Sequence, residues 1–281
     1  MRTRALRKGR IELRNTGQLS LFPVGCGSAF SKRLFQNNWL IVKGSDHVMI
    51  DCGSRTPEAL HGYGVSVPQI QNWLITHSHA DHIGGLEEVM LFGRYVARQK
   101  PTVVITEEYQ EMLWSESLRG GASHNERHGG QALSFSDFWE TVRPQPLDGY
   151  PRDTREVQIG SINLKLVRTN HYPEQAESWK DAAYSVGLVI DDRVLFTGDT
   201  KSDPELVHDY EERFSFEHIF HDVQFFSGGI HCSLDALEQF PDAVTAKMHL
   251  MHYPDNYKDF RKRVRGRFAG FVRQGTYYDF D

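Results

Sequence analysis

The sequence predicts an α/β fold, a four-layer αβ/βα sandwich of two mixed sheets packed face to face with helices outside. Three observations predict it. Sheet-forming segments come first and helices after in each half of the chain, the halves being about 1–150 and 151–281. No short-period repeat interrupts that layout. At 281 residues the chain is long enough to bury a large core as one unit, so a single domain over 1–281 is expected.

The elements follow in order. Residues 19–23 are a short apolar strand, followed by the glycine-rich turn Gly25-Cys26-Gly27-Ser28. Residues 38–42 and 47–51 read as a hairpin around Lys43-Gly44-Ser45-Asp46. Ser66 and Pro68 open a short helix, and 73–76 is a buried strand. Residues 86–97 have the apolar spacing of an amphipathic helix. A strand at 101–106 and a helix at 107–117 come next. The stretch RGGASHNERHGGQ, 119–131, has no hydrophobic periodicity and carries four glycines, so it is expected as a mobile loop.

In the second half, 157–159 and 162–168 are strands, and 185–190 with 194–197 form a hairpin around Asp191-Asp192. Residues 218–223 are a strand, 234–240 a helix capped by Ser233, and 247–251 a strand. Asp255 is expected to cap a helix through Arg265, and 271–278 is a last strand.

Composition excludes several classes. Hydrophobic content of 39% and charged content of 25% are those of an ordinary globular chain. No apolar stretch approaches the roughly 18 residues of a membrane span. The N-terminus MRTRALRKGRIELR is basic but has no apolar core, so no secretory signal is expected. Cys26, Cys52 and Cys232 are odd in number and widely spaced, which argues against a disulfide framework and for a reducing cytoplasm. The formal net charge of -5 disfavours nucleic acid as a partner. The basic clusters Arg2, Arg4, Arg7, Lys8, Arg10 and Arg261, Lys262, Arg263, Arg265 are therefore read as solvated. The 14 histidines instead direct attention to metal ligands.

The segment LITHSHADHIGGL, 74–86, carries the chemistry. Four metal-capable side chains, His77, His79, Asp81 and His82, lie between a buried strand and a helix. In an extended segment His77 and His79 point the same way. Asp81 and His82 fall at the turn into the helix, so one peptide can serve two neighbouring ions. A lone histidine here is usually a core residue and a lone Asp81 usually a helix cap; the whole pattern is not. The second half adds His171, Asp199 and His252, each just beyond a strand. His47, His61, His208, His218 and His249 have no motif around them and read as structural or surface residues, and His124 and His128 as exposed.

At this point the sequence resembles the metallo-β-lactamase superfamily, and within it the branch of ribonuclease Z and its small phosphodiesterase relatives. The resemblance rests on Val24-Gly25-Cys26-Gly27-Ser28-Ala29, Ile50-Asp51-Cys52-Gly53, the HSHADH segment, Phe196-Thr197-Gly198-Asp199-Thr200, His231-Cys232-Ser233 and Met251-His252-Tyr253 with Tyr257. It implies that His77, His79 and His171 bind one metal, that Asp81, His82 and His252 bind another, and that Asp199 bridges them. It implies a catalytic set of Asp81, His231 and Asp222, with His231 donating the proton to the leaving oxygen, Asp222 supporting it, and Asp51 orienting a ligand. His221 is left open. Imidazole and carboxylate suit two divalent ions, zinc first and manganese next. Two such ions activate a water and offset phosphoryl charge. A helix starting after His82 is expected to add N–H donors for an anion. An imidazole, with its usual pKa near 6.5, is a suitable proton donor.

Ribonuclease Z grips transfer RNA with an arm inserted between the third histidine ligand and the bridging aspartate. Residues 172–198 leave no room for one. The short form resembles small cyclic nucleotide phosphodiesterases of the anti-Pycsar type. The expected reaction is thus hydrolysis of a 3′,5′-cyclic mononucleotide to a nucleoside monophosphate, in anti-phage signalling or its evasion, by a cytoplasmic homodimer. An RNA-processing endonuclease and a non-catalytic, metal-stabilised binding protein are the alternatives; the last predicts that Asp199→Ala unfolds the chain. The loop 119–131, flanked by Trp114, Phe135 and Trp139, is a candidate to cap a neighbour's pocket and stack a base. Equally, those aromatics can fill the core of their own chain.

Overall fold

The computed structural model describes residues 1–6 and 9–281. Arg7 and Lys8, part of the basic N-terminal cluster, lie outside the described residues. In the first half, strands β1 (Arg2–Ala5), β2 (Leu19–Pro23), β3 (Trp39–Lys43), β4 (Asp46–Ile50), β5 (Asn72–Leu74) and β6 (Thr102–Val104) are followed by the tiny pair β7 (Arg127–His128) and β8 (Gln131–Ala132), then β9 (Glu140–Val142). The second half contains β10 (Gln145–Pro146), β11 (Thr154–Ile159), β12 (Ile162–Arg168), β13 (Val186–Ile190), β14 (Val194–Phe196), β15 (His218–Asp222), β16 (Met248–Met251), β17 (Gly270–Phe271) and β18 (Thr276–Phe280). One eight-stranded sheet has the order β1-β18-β2-β3-β4-β5-β6-β9 and the other runs β10 to β17 in sequence.

The four-layer sandwich follows from the composition of these strands. β2, β13 and β14 are buried along their whole length, as strands covered on both faces must be. Trp39 on β3 meets Phe196 on β14 and Phe220 on β15 at ring separations of 5.5 and 5.0 Å, joining the two sheets across the core. Asp191 and Asp192, both left-handed, turn β13 into β14; short polar side chains tolerate that conformation.

Several elements depart from the sequence reading. The basic N-terminus forms an edge strand, β1, because its residues 2–5 pair antiparallel with β18, a partner more than 270 positions away. Arg4 there bonds Glu12 and lies over the Tyr277 ring. The last strand divides: Gly270–Phe271 extends the second sheet, while Thr276–Phe280 returns to the first. The stretch 119–131 is not a bare loop. It holds a helical turn, Arg119–Ser123, and the β7–β8 hairpin. A Cβ on Gly121 would meet only the carboxylate of Glu87, the end of an exposed side chain that can swing aside. Phe135 and Trp139 are buried in the core of their own chain, which removes them as base-stacking groups. Trp114 is half-buried and packs against that core.

Asp255 caps no helix. Its carboxylate accepts from Ser31 Oγ and from the backbone N–H of Lys32 and Arg33, while the helical segment after it is a short turn over Tyr257–Phe260 and Arg261–Val264. Ser233 does cap its helix, accepting from Ala236 N, although that helix ends at Leu237. The helix Pro204–Phe214 has no counterpart in the sequence reading.

Candidate metal centre

The candidate ligands gather at one edge of the sandwich, because the strands that carry them end there. β14, β15 and β16 run parallel, and β12 runs the same way two antiparallel steps from β14. His171, Asp199 and His252 therefore emerge from neighbouring strand ends. The segment after β5 meets them from the opposite sheet. It is extended through His79, which stands at the N-terminus of the helical turn α1 (Ala80–Ile83). Asp81 and His82 sit inside this turn, so the expected helix start after His82 lies three residues too late.

Two donor sets result. His77 Nε2 and His171 Nε2 stand 3.0 and 3.1 Å from His79 Nδ1. In the second set, His82 Nε2 lies 3.3 Å from Asp81 Oδ2 and 3.1 Å from Asp199 Oδ2. His252 Nε2 lies 3.2 and 3.3 Å from the same two oxygens. Asp199 Oδ2 is also 3.9 Å from His77 Nε2 and His171 Nε2, and so lies between the sets.

The chemistry of these donors fits divalent cations. Bond lengths of about 2.0–2.1 Å around tetrahedral zinc put neighbouring nitrogens about 3.3 Å apart, near the separations found here. One proton can bridge only one pair of nitrogens, which leaves the remaining lone pairs facing each other. Asp199 Oδ1 is buried and has no hydrogen-bond partner. A cation answers both deficits.

The surroundings fix which nitrogen faces inward. His171 Nδ1 donates to the Ile230 carbonyl at 2.8 Å, leaving Nε2 as the lone-pair nitrogen. His82 Nδ1 donates to Asp51 Oδ2 at 2.7 Å. Asp51 itself accepts from Thr76 N and Thr76 Oγ1, each at 2.7 Å. Asp51 and His252 both hold left-handed backbone, with φ of 63° and 56°, a strained conformation typical of functional sites. A Cβ at Gly198, where φ is 61°, would meet the Val186 carbonyl at 2.7 Å, so only glycine allows the turn that presents Asp199.

The electrostatics separate the sets. Burial, followed by the neighbouring imidazoles of His82 and His171, holds His77 well below the usual histidine range. Burial likewise lowers His79 and takes His171 to about 3. These three rings are held neutral, the form in which an imidazole can bind a metal. Burial alone opposes charge on Asp81, His82 and His252, but their mutual attraction outweighs it. The result is a lowered Asp81, held down chiefly by His82 and His252, and raised His82 and His252, held up by Asp81 and Asp199.

His231 stands beside both sets. Its Nδ1 lies 3.0 Å from Asp222 Oδ2 and 3.9 Å from Asp199 Oδ2. Asp222 Oδ2 also accepts from Thr200 N at 3.3 Å. His221, left open by the sequence, is buried; its Nδ1 donates to the Asp222 carbonyl at 2.8 Å and lies 3.1 Å from Oδ1. Burial raises Asp222, but His221 and His231 together bring it below the usual carboxylate range.

All ten residues singled out by the sequence thus lie in this one region. Two supporting residues escaped it. Thr76 ties Asp51 in place, and Asn38 donates to the Asp81 carbonyl at 3.0 Å while accepting from Gly53 N at 2.6 Å. A fully buried Asn heading the apolar run Trp39-Leu40-Ile41 is the signal that marks Asn38. The other histidines are structural or exposed. His249 Nε2 bonds His218 Nδ1 at 3.0 Å, His47 Nε2 accepts from Gln71 N, and His61, His124 and His128 face solvent.

Residues 19–278 match the family model described as Anti-Pycsar protein Apyc1. Over 253 residues the chain is 39% identical to the Apyc1 protein of Bacillus phage BSP38, covering 88% of this chain and 93% of that one. It is 34% identical over 262 residues to the Apyc1 protein of Paenibacillus sp. (strain J14), covering 92% and 98%. Among solved structures, the metallo-beta-lactamase fold protein YhfI from Bacillus subtilis superposes with a TM-score of 0.68 at 15% identity, covering 94% of this chain and 100% of that one. That last likeness shows the fold.

Proposed function

The chain belongs to the anti-Pycsar protein Apyc1 family and is a metal-dependent hydrolase of the metallo-β-lactamase fold; from that premise we propose that it hydrolyses a 3′,5′-cyclic mononucleotide to a nucleoside monophosphate. The observation that carries the reading is the pair of donor sets sharing Asp199, with the His231–Asp222 pair beside them.

His77, His79 and His171 would hold one divalent cation and Asp81, His82 and His252 a second, with Asp199 available to both. When bound, the ions supply Lewis acidity that activates water near neutral pH and offsets charge on the phosphoryl oxygens. Asp51 fixes the ring of His82 through Nδ1, and Ile230 does the same for His171, so both rings present Nε2. Water adds to phosphorus and releases a proton to solvent, one P–O bond of the ring breaks, and the departing ribose oxygen takes a proton from His231. Asp222 orients that imidazole through Nδ1. Asp81 serves the reaction as a ligand whose carboxylate is kept ionised by His82 and His252.

Zinc is the first candidate and manganese the second, given imidazole and carboxylate donors. We read the protein as a cytoplasmic homodimer forming one domain. Three free, buried cysteines suit a reducing compartment, and no helix among the described residues is long and apolar enough to cross a membrane. The absence of an arm between His171 and Asp199, with the net charge of -5, speaks against a structured RNA substrate.

The test is a panel of cyclic AMP, GMP, CMP and UMP given to purified protein with zinc or manganese, read by product chromatography. We expect nucleoside monophosphate from at least one. Turnover of none of the four rejects the reading.

A further inference from the structure

A cavity of about 470 Å³ opens directly beside His231 and His252, and nothing in the reaction derived above uses its outer wall. Two phenylalanines line it. Phe30 comes from the segment after the glycine-rich loop and is 87% exposed; Phe226 comes from the turn after β15 and is 64% exposed. Among the described residues no other Phe, Tyr or Trp is so open to solvent. Two large apolar rings left in water at the mouth of one site mark a binding surface rather than a core that failed to close.

Of the polar groups around these rings, Gln224, Ser31 and Asp255 are engaged in holding the backbone. The Gln224 amide donates to the carbonyls of Phe226 and Gly228, which holds the Phe226 turn. The Asp255 carboxylate accepts from Ser31, Lys32 and Arg33, which holds the segment carrying Phe30. The cavity thus offers flat apolar faces on braced backbone, continuous with the metal-binding side chains. Its volume lies within the roughly 300–1,000 Å³ usual for small-molecule sites.

We propose that Phe30 and Phe226 form the subsite that grips the nucleobase of the substrate by stacking. The proposal rests on the cyclic nucleotide reading, because a phosphate held at the metal centre leaves the rest of the nucleotide to be housed next to it. Recognition is by ring face. Every base has one, so the subsite sets affinity more than base identity.

The experiment compares kcat/KM for cyclic AMP with that for a base-free analogue, methyl ribofuranoside 3′,5′-cyclic phosphate. Stacked bases lose about 5- to 150-fold when the aromatic partner becomes alanine. We expect the ratio of the two kcat/KM values to fall about tenfold or more in Phe30→Ala and in Phe226→Ala. It should be retained in Phe30→Tyr and Phe226→Tyr. An unchanged ratio in both alanine variants overturns the proposal. So does an equal loss on both substrates, or a change from dimer to monomer by light scattering with the ratio intact, which would make the patch a contact between copies. Calorimetric binding of cyclic AMP separates this from the parent reading, since it needs no turnover. Binding that is lost in the alanine variants, from a wild type that hydrolyses nothing, would sink the hydrolase reading and keep the subsite. Binding indifferent to both rings would sink the subsite.

Discussion

Asp51 touches no substrate in the proposed reaction, yet the second donor set depends on it. It is fully buried, and burial raises it, while His82 and Thr76 pull it back. Its oxygens take three hydrogen bonds, from Thr76 N, Thr76 Oγ1 and His82 Nδ1. Asp51→Asn keeps the volume but turns one oxygen into a donor facing Thr76 or His82. Loss of such an orienting partner typically weakens metal affinity about 10- to 100-fold. We expect that loss in chelator competition. His231→Ala should behave in the opposite way: metal content unchanged and kcat lower by about 10²–10⁴. A drop in metal content in that variant would move His231 from proton donor to ligand. At this scale the sequence was most legible where ligands are neighbours in the chain. HSHADH carries its spacing on its face, whereas His171, Asp199 and His252 are single residues beyond predicted strands that stood out only by their joint order after that motif. Thr76 and Asn38 act through backbone and second-hand contacts, which leave no spacing to read.

The parallel pairing of β15 with β16 buries His249 against His218 and Phe220. Burial, then the charge of His218, lowers His249 to about 3. The folded protein therefore refuses a proton that the unfolded chain accepts below about 6.5. Unfolded chains bind more protons throughout that window, so stability is full above it and declines as pH falls from about 6.5 toward 3. By pH 5 the cost from this one ring is about 2 kcal/mol. In His249→Gln the unfolding free energy should fall by about that much less between pH 7 and pH 5, read by urea titration at each pH. Identical pH slopes in the two proteins would contradict it. Among the elements, strands with strong apolar runs were readable, such as Leu19–Pro23 and Ile162–Arg168. The edge strand Arg2–Ala5 was not, since its partner is the far terminus. The helix Pro204–Phe214 was overlooked despite a Pro in its first turn and Asp203 accepting from Leu206 N at its start.

At the scale of the whole molecule we expect the fold to form without bound metal. Two eight-stranded sheets share one apolar core, in which Trp39, Trp73, Phe196 and Phe220 are fully buried. Binding to the native state alone still adds stability, about 2.7 kcal/mol when free metal is a hundredfold above the dissociation constant. We expect a chelator to lower Tm while leaving the far-ultraviolet circular dichroism at 25 °C unchanged. Asp199→Ala should likewise fold, with metal content reduced. Collapse of the spectrum on chelation would favour a protein whose metals serve architecture. Residues 1–150 and 151–281 also fail to part cleanly, because β18 crosses back to pair with β1 and β2.

Sequence by itself determined the two-sheet architecture and singled out the candidate ligand side chains, because hydrophobic periodicity and short-range spacing are local properties of the chain. Tertiary structure alone decided how the strand ends converge on Asp199, which ring nitrogen each histidine presents, where the termini pair, and that Phe30 and Phe226 stand exposed at one cavity. Those depend on contacts between residues tens to hundreds of positions apart, and no local pattern encodes them.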